Sequence, residues 1–248
     1  MDFTVTPGTV SVPRDGYVTL TVKGDIALVD GTTVTNGNTA IITVSTTASD
    51  IDTVGSQSGA DTDPTVGSAL TPNTHLVYKA YPVFALSATG QPSTSLVPKE
   101  GDLLAVYDVT AVGNDDVTFA TAQSNTLTLS WSLSETTDDG TTNDLFYLKK
   151  DNGATTVASP AAVDVNASST VVFTFEDATF TVPAGETKKL YVYGDTTDLS
   201  EDGDTIQVYL DDTTTHISFS IDAGTTNASR GDIIFRGEIR GVSLVNPS

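Results

Sequence analysis

The chain has 248 residues, with 32 acidic against 11 basic side chains and a net charge of −21 at neutral pH. This balance argues against binding to nucleic acid or to anionic membranes, because both require clustered lysine and arginine. The chain has no cysteine, so its stability must come from core size, cations or contacts with neighbours rather than from disulfides. No signal peptide or membrane-spanning run is visible, which predicts a processed form, a fragment, or a chain that is not exported by the signal-peptide route.

Short runs rich in Thr, Val and Tyr alternate with clusters of Gly, Asp, Asn and Pro, and helical periodicity is essentially absent. This pattern predicts an all-β protein built as Ig-like antiparallel β-sandwiches with Greek-key connections. The segment 50–72, which nearly lacks large apolar residues, is predicted to be a long loop or linker. In chain order, the predicted strands are 9–13, 17–23, 39–45, 75–79, 82–88, 103–111, 126–133, 144–149, 171–175, 178–182, 188–193, 205–210, 216–221 and 232–245.

The beginning of the chain repeats its end. At an offset of 170 residues, Phe3-Thr4, Val12-Pro13, Leu20, Val22 and Gly24-Asp25 recur as Phe173-Thr174, Val182-Pro183, Leu190, Val192 and Gly194-Asp195. A fixed period is typical of modular arrays. We therefore expect a half-repeat β-domain over 1–82, matching 170–247, and a full sandwich repeat over 83–248. We also expect residues 1–45 to adopt the strand arrangement of 171–212, and a β-segment from elsewhere to complete the half-repeat.

Two motifs carry a family resemblance: Val182-Pro183-Ala184-Gly185-Glu186-Thr187, followed by Leu190-Tyr191-Val192-Tyr193-Gly194-Asp195, and the earlier run from His75 to Pro82. They resemble a module of large bacterial cell-surface proteins built from tandem Ig-like or surface-layer-like β-sandwich repeats. The resemblance implies a non-enzymatic, extracellular structural protein whose copies assemble head-to-tail into a surface layer, stalk or filament. An adhesin or carbohydrate-binding module and a virion fibre or decoration protein remain as alternatives.

Side chains suited to catalysis are scarce. His75 and His216 are the only histidines, each lies in a strand-like run, and no cysteine is available. A Ser–His or Cys–His arrangement is therefore disfavoured. The run from Gly55 to Gly59 carries Gln57 where a nucleophile elbow requires serine. We accordingly predict that the chain is not an enzyme, with no catalytic residue.

The segment between two predicted strands concentrates negative charge. Ca²⁺ prefers several oxygen ligands from flexible acidic loops, and clustered carboxylates repel one another without a counter-ion. The segment is therefore a candidate Ca²⁺ site, and no other cofactor is predicted. Its spacing is not that of an EF-hand, and a solvated acidic turn is the alternative. The carboxylates are Asp195, Asp198, Glu201, Asp202 and Asp204.

Aromatic and basic residues near the C-terminus are candidates for contacts between copies of the chain. Alternation places Tyr191 and Tyr193 opposite the aliphatic residues of 188–193, and Tyr209 joins them if 205–210 forms a hairpin with that strand. Packing under a loop and glycan binding are the alternatives for these tyrosines. The alternating segment 232–245 is either the chain's own last strand or a strand supplied to a neighbour. The predicted interface comprises Tyr191, Tyr193, Tyr209, Ile233, Phe235, Arg236, Ile239 and Arg240.

Overall fold

A computed structural model describes residues 9–26, 38–41, 53–62, 75–120, 122, 124–135, 144–164, 169–176, 179–213, 215–221 and 237–247. The secondary-structure elements of these residues are all β-strands, and every ladder between them is antiparallel. The predicted all-β class and antiparallel sandwich are thereby confirmed. Within the same residues, no helix has the length and apolarity needed to cross a membrane.

The strands are numbered in chain order. They are β1 (Asn38–Ala40), β2 (Thr53–Val54), β3 (Asp61–Thr62), β4 (His75–Val77), β5 (Ala80–Leu86), β6 (Asp102–Gly113), β7 (Val117–Phe119), β8 (Thr126–Ser134), β9 (Asp144–Lys150), β10 (Thr155–Val163), β11 (Thr170–Thr174), β12 (Phe180–Val182), β13 (Thr187–Gly194), β14 (Thr205–Leu210), β15 (Ile239–Arg240) and β16 (Leu244–Val245).

Two sheets form the sandwich. The first sheet has the strand order β10-β9-β13-β6-β5, and the second has the order β11-β8-β14-β15, with β16 also paired to β14. Smaller ladders join β12 to β7, β1 to β4 and β2 to β3. The segment between β13 and β14 therefore crosses from one sheet to the other, which places the acidic residues of 195–204 at one end of the sandwich.

The core lies between the two sheets and is filled by alternate residues of each strand. Leu190 and Val192 of β13 face Ile206 and Val208 of β14 across this layer, as their alternation predicted. Trp131 of the second sheet stacks on Phe146 of the first, with ring centroids 5.1 Å apart. Full burial of one such aliphatic or aromatic side chain contributes about 1.5–3 kcal/mol. Among the described residues, the core contains none before Tyr78.

The predicted strands over 9–13 and 17–23 are not formed. Residues 9–26 contain a turn at Arg14-Asp15 and otherwise no regular structure, whereas the matching residues near the end form β12 and β13. The expected common strand arrangement of 1–45 and 171–212 is therefore wrong over the part that the structure describes. Val12 and Leu20 are 62% and 68% exposed, because no ladder or core contact removes them from water.

The predicted linker contains a hairpin, and the first strand of the sandwich begins near the expected boundary. Residues 53–62 form the hairpin of β2 and β3 inside the predicted 50–72 loop, with Gly55 to Gly59 as its turn. The sandwich begins with β5 at Ala80, two residues before the expected boundary at 82. The division into a half-repeat and a full repeat stays a prediction.

Candidate assembly and ligand surfaces

The acidic crossover between β13 and β14 is held by hydrogen bonds within the protein. Asp195 Oδ1 accepts from the Thr197 N–H at 3.0 Å and from the Thr197 hydroxyl at 2.7 Å. Asp204 Oδ2 accepts from the Glu201 N–H at 2.9 Å, and both Asp198 and Asp204 are buried. Aspartate is favoured at such turns because its short side chain reaches backbone N–H groups nearby.

Contacts on both sides fix this crossover against the sandwich. The Thr196 hydroxyl donates to the buried Asp102 carboxylate at 2.6 Å, and the Asn246 amide donates to the Leu199 carbonyl at 2.8 Å. Leu199 itself is buried in the core. The structure thus places two of the five predicted ligands, Asp198 and Asp204, inside the protein and leaves Glu201 and Asp202 exposed.

The five carboxylates do not converge on one point. In the described part of the chain, no three His, Asp or Glu side chains form a group that would hold a metal ion. The Ca²⁺ site remains a prediction from the sequence. If this segment binds Ca²⁺, the protein should melt at a higher temperature in Ca²⁺ than in EDTA. Equal melting temperatures would contradict the predicted site.

Two of the predicted interface tyrosines lie on the outer face of the first sheet. Tyr191 and Tyr193 of β13 point away from the core, beside Tyr147 and Lys149 of β9. Lys149 Nζ lies 4.5 Å from the centroid of the Tyr193 ring and 5.6 Å from that of Tyr147. A cation over an aromatic face at an exposed site is worth about 0.5–1 kcal/mol. We call Tyr147, Lys149, Tyr191 and Tyr193 the tyrosine–lysine face.

The turn between β9 and β10 covers part of this face. Asp151, Asn152 and Gly153 have φ angles of 53°, 56° and 83°, and the Tyr191 hydroxyl donates to Asn152 Oδ1 at 2.8 Å. Burial, and secondarily the neighbouring Tyr191, raises the pKa of the Tyr193 hydroxyl. The Asn-Gly dipeptide is the sequence signal that identifies such a turn, since both residues tolerate positive φ. Packing under a loop, one of the alternatives for these tyrosines, therefore holds for Tyr191.

The expectation that Tyr209 shares a face with Tyr191 and Tyr193 is wrong. β13 and β14 belong to different sheets and do not form a hairpin. Tyr209 lies on the outer face of the second sheet, where the Arg240 guanidinium is 4.5 Å from its ring centroid. Strand alternation assigned each tyrosine to an outer face correctly, but it does not say which two strands pair.

The C-terminal strand belongs to the chain's own sandwich. β15 and β16 pair with β14, Ile239 packs against the core, and Arg240 pairs across from Tyr209. Donation of 239–245 to a neighbour is therefore wrong, because these residues already have partners in the same chain. Ile233, Phe235 and Arg236 lie outside the described residues.

An open groove of about 500 Å³ lies beside the tyrosine–lysine face. Its walls come from the β9–β10 turn, β12 and β13, and they include Lys150, Lys188 and Lys189. Lys188 pairs with Glu186, and Lys189 pairs with Asp108 at 2.9 Å. Lys150 Nζ donates to the Thr179 carbonyl at 2.9 Å. Asp151 also lines the groove, and Lys188 and Lys189 are paired with carboxylates, so the lining carries little net positive charge.

His216 lies against an aspartate that also accepts a hydrogen bond from a serine. His216 Nδ1 lies 2.6 Å from Asp211 Oδ1, and the Ser130 hydroxyl donates to the other Asp211 oxygen at 3.3 Å. Partial burial would raise the pKa of Asp211, but hydrogen bonds from Thr213, the facing His216 and Ser130 together lower it. The serine therefore contacts the carboxylate and not the imidazole. His75, the other histidine, lies in β4 and pairs across from Ala40.

The N-terminal arm, which we define as residues 9–26, is an exposed surface and not part of a β-domain core. Its alternating apolar residues were expected inside a half-repeat, but they are exposed to water. These residues are Val10, Val12, Tyr17, Val18, Leu20, Val22 and Ile26. The turn from Pro13 to Gly16, closed by the Gly16 N–H bonded to the Pro13 carbonyl at 3.0 Å, separates 17–23 from the preceding residues.

Comparison with known proteins gives little further information. No protein-family model and no curated protein matches the sequence. One solved structure, of AvmM, which catalyses macrocyclization in alchivemycin A biosynthesis, aligns with 68% of this chain and 89% of its own at 12% identity. Its TM-score is 0.27, so the likeness carries no argument about this chain.

The matched protein is an enzyme, and the prediction that this chain is not an enzyme is therefore withdrawn. We correct the prediction accordingly, and no activity, substrate or catalytic residue is transferred from AvmM.

Proposed function

We propose that this chain is a structural module of an extracellular, cell-surface assembly in which copies join head-to-tail into a layer, stalk or filament. The observation that carries the proposal is the exposed N-terminal arm beside a sandwich that closes its core without it. The resemblance to tandem Ig-like surface modules supports the location and the repeating architecture.

The arm has the composition of a β-strand without a partner. Val18, Leu20 and Val22 alternate with Thr19 and Thr21, and β-branched residues in this order favour extended pairing. Burial of one Val or Leu side chain contributes about 1.5–3 kcal/mol. A strand that adds to the sheet of another molecule is stabilised both by burial of its apolar side chains and by backbone hydrogen bonds.

A second copy of the chain is the partner that fits this arm. Residues 9–26 form no ladder with the described part of their own sandwich, whose core already contains both sheets. An arm at one site and its receiving strand at another make a heterologous interface, which propagates when the rotation between copies does not close. This geometry accounts for a head-to-tail polymer.

The proposal is tested by sedimentation velocity of Leu20→Asp and Val97→Asp. Leu20 is 68% exposed in the arm, and Val97 is 73% exposed on the sandwich, so the two changes have similar effects on an isolated molecule. We expect Leu20→Asp to abolish assembly and Val97→Asp to preserve it, with equal melting temperatures followed through Trp131, the single tryptophan. Unchanged assembly of Leu20→Asp would remove the proposal.

An adhesin or carbohydrate-binding module is the second candidate, and the tyrosine–lysine face favours it. Tyr193 remains partly exposed beside Lys149, and an aromatic ring next to a lysine suits an acidic glycan. Binding on an array of acidic glycans that is lost in Lys149→Ala would support this candidate. Equal signals from Lys149→Ala and the unmodified chain would count against it.

A further inference from the structure

We infer that the arm also recognises itself: residues 17–23 of two copies pair as antiparallel strands across a twofold axis at Leu20. This inference goes beyond the proposed function, because it gives the arm a symmetric partner and produces a closed dimer. Such a dimer competes with head-to-tail assembly for the same arm. The order of the residues around Leu20 and the exposure of the arm carry the inference.

The arm reads the same in both directions around Leu20. In an antiparallel pair of identical strands, residue i faces residue j of the second copy and residue j faces residue i. A symmetric order therefore brings like residues together, and the segment is complementary to itself. The identical residues at equal distances from Leu20 are Thr19 and Thr21, Val18 and Val22, Gly16 and Gly24, and Asp15 and Asp25.

This symmetry is specific to the arm. β13 has the same apolar positions at an offset of 170 residues, with Leu190 in the central place. The residues two places before and after Leu190 are Lys188 and Val192, which differ in size and charge. The symmetric order is thus not a by-product of the apolar alternation that the two segments share.

The backbone of 17–23 is available for pairing. Among the described residues, this segment belongs to no ladder, and every one of its residues is exposed. The arm's backbone hydrogen bond to another described residue closes the Pro13–Gly16 turn, which lies outside 17–23. Extended segments whose N–H and C=O groups lack partners are templates for pairing with another chain.

Pairing about Leu20 collects apolar side chains on one face. Val18, Leu20 and Val22 of both copies share this face, and in the separate molecule they are 42%, 68% and 45% exposed. Their burial favours the dimer. A two-stranded ribbon alone is marginal in water, and Val10 and Val12, on the other side of the turn, supply further apolar surface from each arm.

The exception to the symmetry is complementary as well. In this register Tyr17, which is 88% exposed, faces Lys23 of the second copy at both ends of the ladder, and a ring beside an ammonium group forms a cation–π pair. Gly16 and Gly24 end the ladder. Asp15, with a φ of 58°, leaves the extended conformation, so its like charge does not face Asp25 within the ladder.

The chain has no cysteine, so single cysteines report the register in a glutathione buffer. Leu20→Cys should form a disulfide-linked dimer on its own, because opposed residues meet the Cα separation of a disulfide. Val18→Cys and Val22→Cys should link when mixed but not separately, since identical positions lie roughly 13 Å apart along the strands. Val97→Cys, 73% exposed on the sandwich, is the control and should not link.

Charge variants test the same register without a disulfide. Val18→Lys and Val22→Glu each bury an unpaired charge, and each should raise the dimer dissociation constant in sedimentation velocity by about tenfold or more. The double variant sets lysine opposite glutamate twice and should recover most of the affinity. A receiving surface elsewhere would not produce this recovery, so equal losses in the single and double variants would overturn the inference.

The outcomes separate this inference from the proposed function. A trapped dimer that does not enlarge with protein concentration would support self-pairing and remove the head-to-tail polymer. Polymer that depends on Leu20, with no Leu20→Cys link and no charge recovery, would overturn self-pairing and leave the proposed function intact. Assembly that does not depend on Leu20 would remove both. Links from Val18→Cys alone as abundant as those from Leu20→Cys would contradict the register.

Discussion

Gly153 shows how one residue sets the tyrosine–lysine face. Its φ of +83° lies in the left-handed region, and an added Cβ would collide with the Tyr193 hydroxyl. We expect Gly153→Ala to lower the free energy of unfolding by more than the roughly 1–2 kcal/mol of left-handed strain alone. Gly101→Ala is the control, because Gly101 has φ +69° with open space around it. Equal losses in urea unfolding would show that the Tyr193 contact contributes nothing.

Asp211 is expected to make the free energy of unfolding depend on pH in the acidic range. The pKa of Asp211 is lower in the folded protein than its ordinary value of about 3.9, so its contribution is complete above that pH. As pH falls through the lowered pKa, the contribution is lost, because the unfolded chain binds the proton more readily. Urea midpoints between pH 6 and pH 2 should therefore fall less steeply for Asp211→Asn than for the unmodified chain.

The hydrogen bond from Ser130 provides the control for this pH dependence. Ser130→Ala removes one donor to Asp211 and should reduce the acid sensitivity only in part. Identical pH profiles for the unmodified chain and Asp211→Asn would contradict the assignment.

At the level of strands, the alternation of apolar residues predicted most central strands of the sandwich correctly but failed for an irregular edge strand and for segments that form no ladder. Strands β6, β8, β9, β13 and β14 were found within one to two residues of their observed ends, because their core sides are continuously apolar. β10 was missed, since its run from Thr155 to Val163 contains Pro160 and several alanines. Such residues are tolerated at an irregular edge, which sequence alone does not reveal.

Three other predicted strands, over 9–13, 17–23 and 216–221, form no continuous ladder. Residues 216–221 have the expected alternation but make only isolated bridges, from Ile217 to Leu127 and from Ser220 to Thr118. The arm residues 17–23 have the composition of β13 and yet form no ladder. Local propensity indicates what can pair, whereas pairing itself depends on the partners that the rest of the fold provides.

The sequence predicted which individual residues face outward, but not which of them lie together on one surface. The outward positions of Tyr191, Tyr193 and Tyr209 follow from period-two alternation. Their separation onto two sheets does not, because the crossover between β13 and β14 leaves no sequence signal. The acidic residues of this crossover read as cation ligands in sequence, while the structure uses Asp195 and Asp204 to bond backbone N–H groups.

At the level of the whole molecule, charge opposes assembly and the apolar arm favours it. Copies that carry a net charge of −21 repel one another. Raising the ionic strength from about 0.01 M to about 0.15 M shortens the screening length from about 30 Å to about 8 Å. We therefore expect salt to increase the polymer fraction measured by light scattering. A fall in polymer with salt would indicate an interface held by opposite charges, such as the lysines of the groove against an acidic surface.

Hydrogen exchange of the arm amides tests the central claim most directly. Residues 17–23 should exchange rapidly in dissociated molecules, because their N–H groups have no strand partner there, and slowly in the assembled state, where they pair with a neighbour. Amides of β13 should be protected in both states and serve as the internal reference. The account predicts protection of alternate arm residues on assembly, and equally rapid exchange of 17–23 in both states would contradict it.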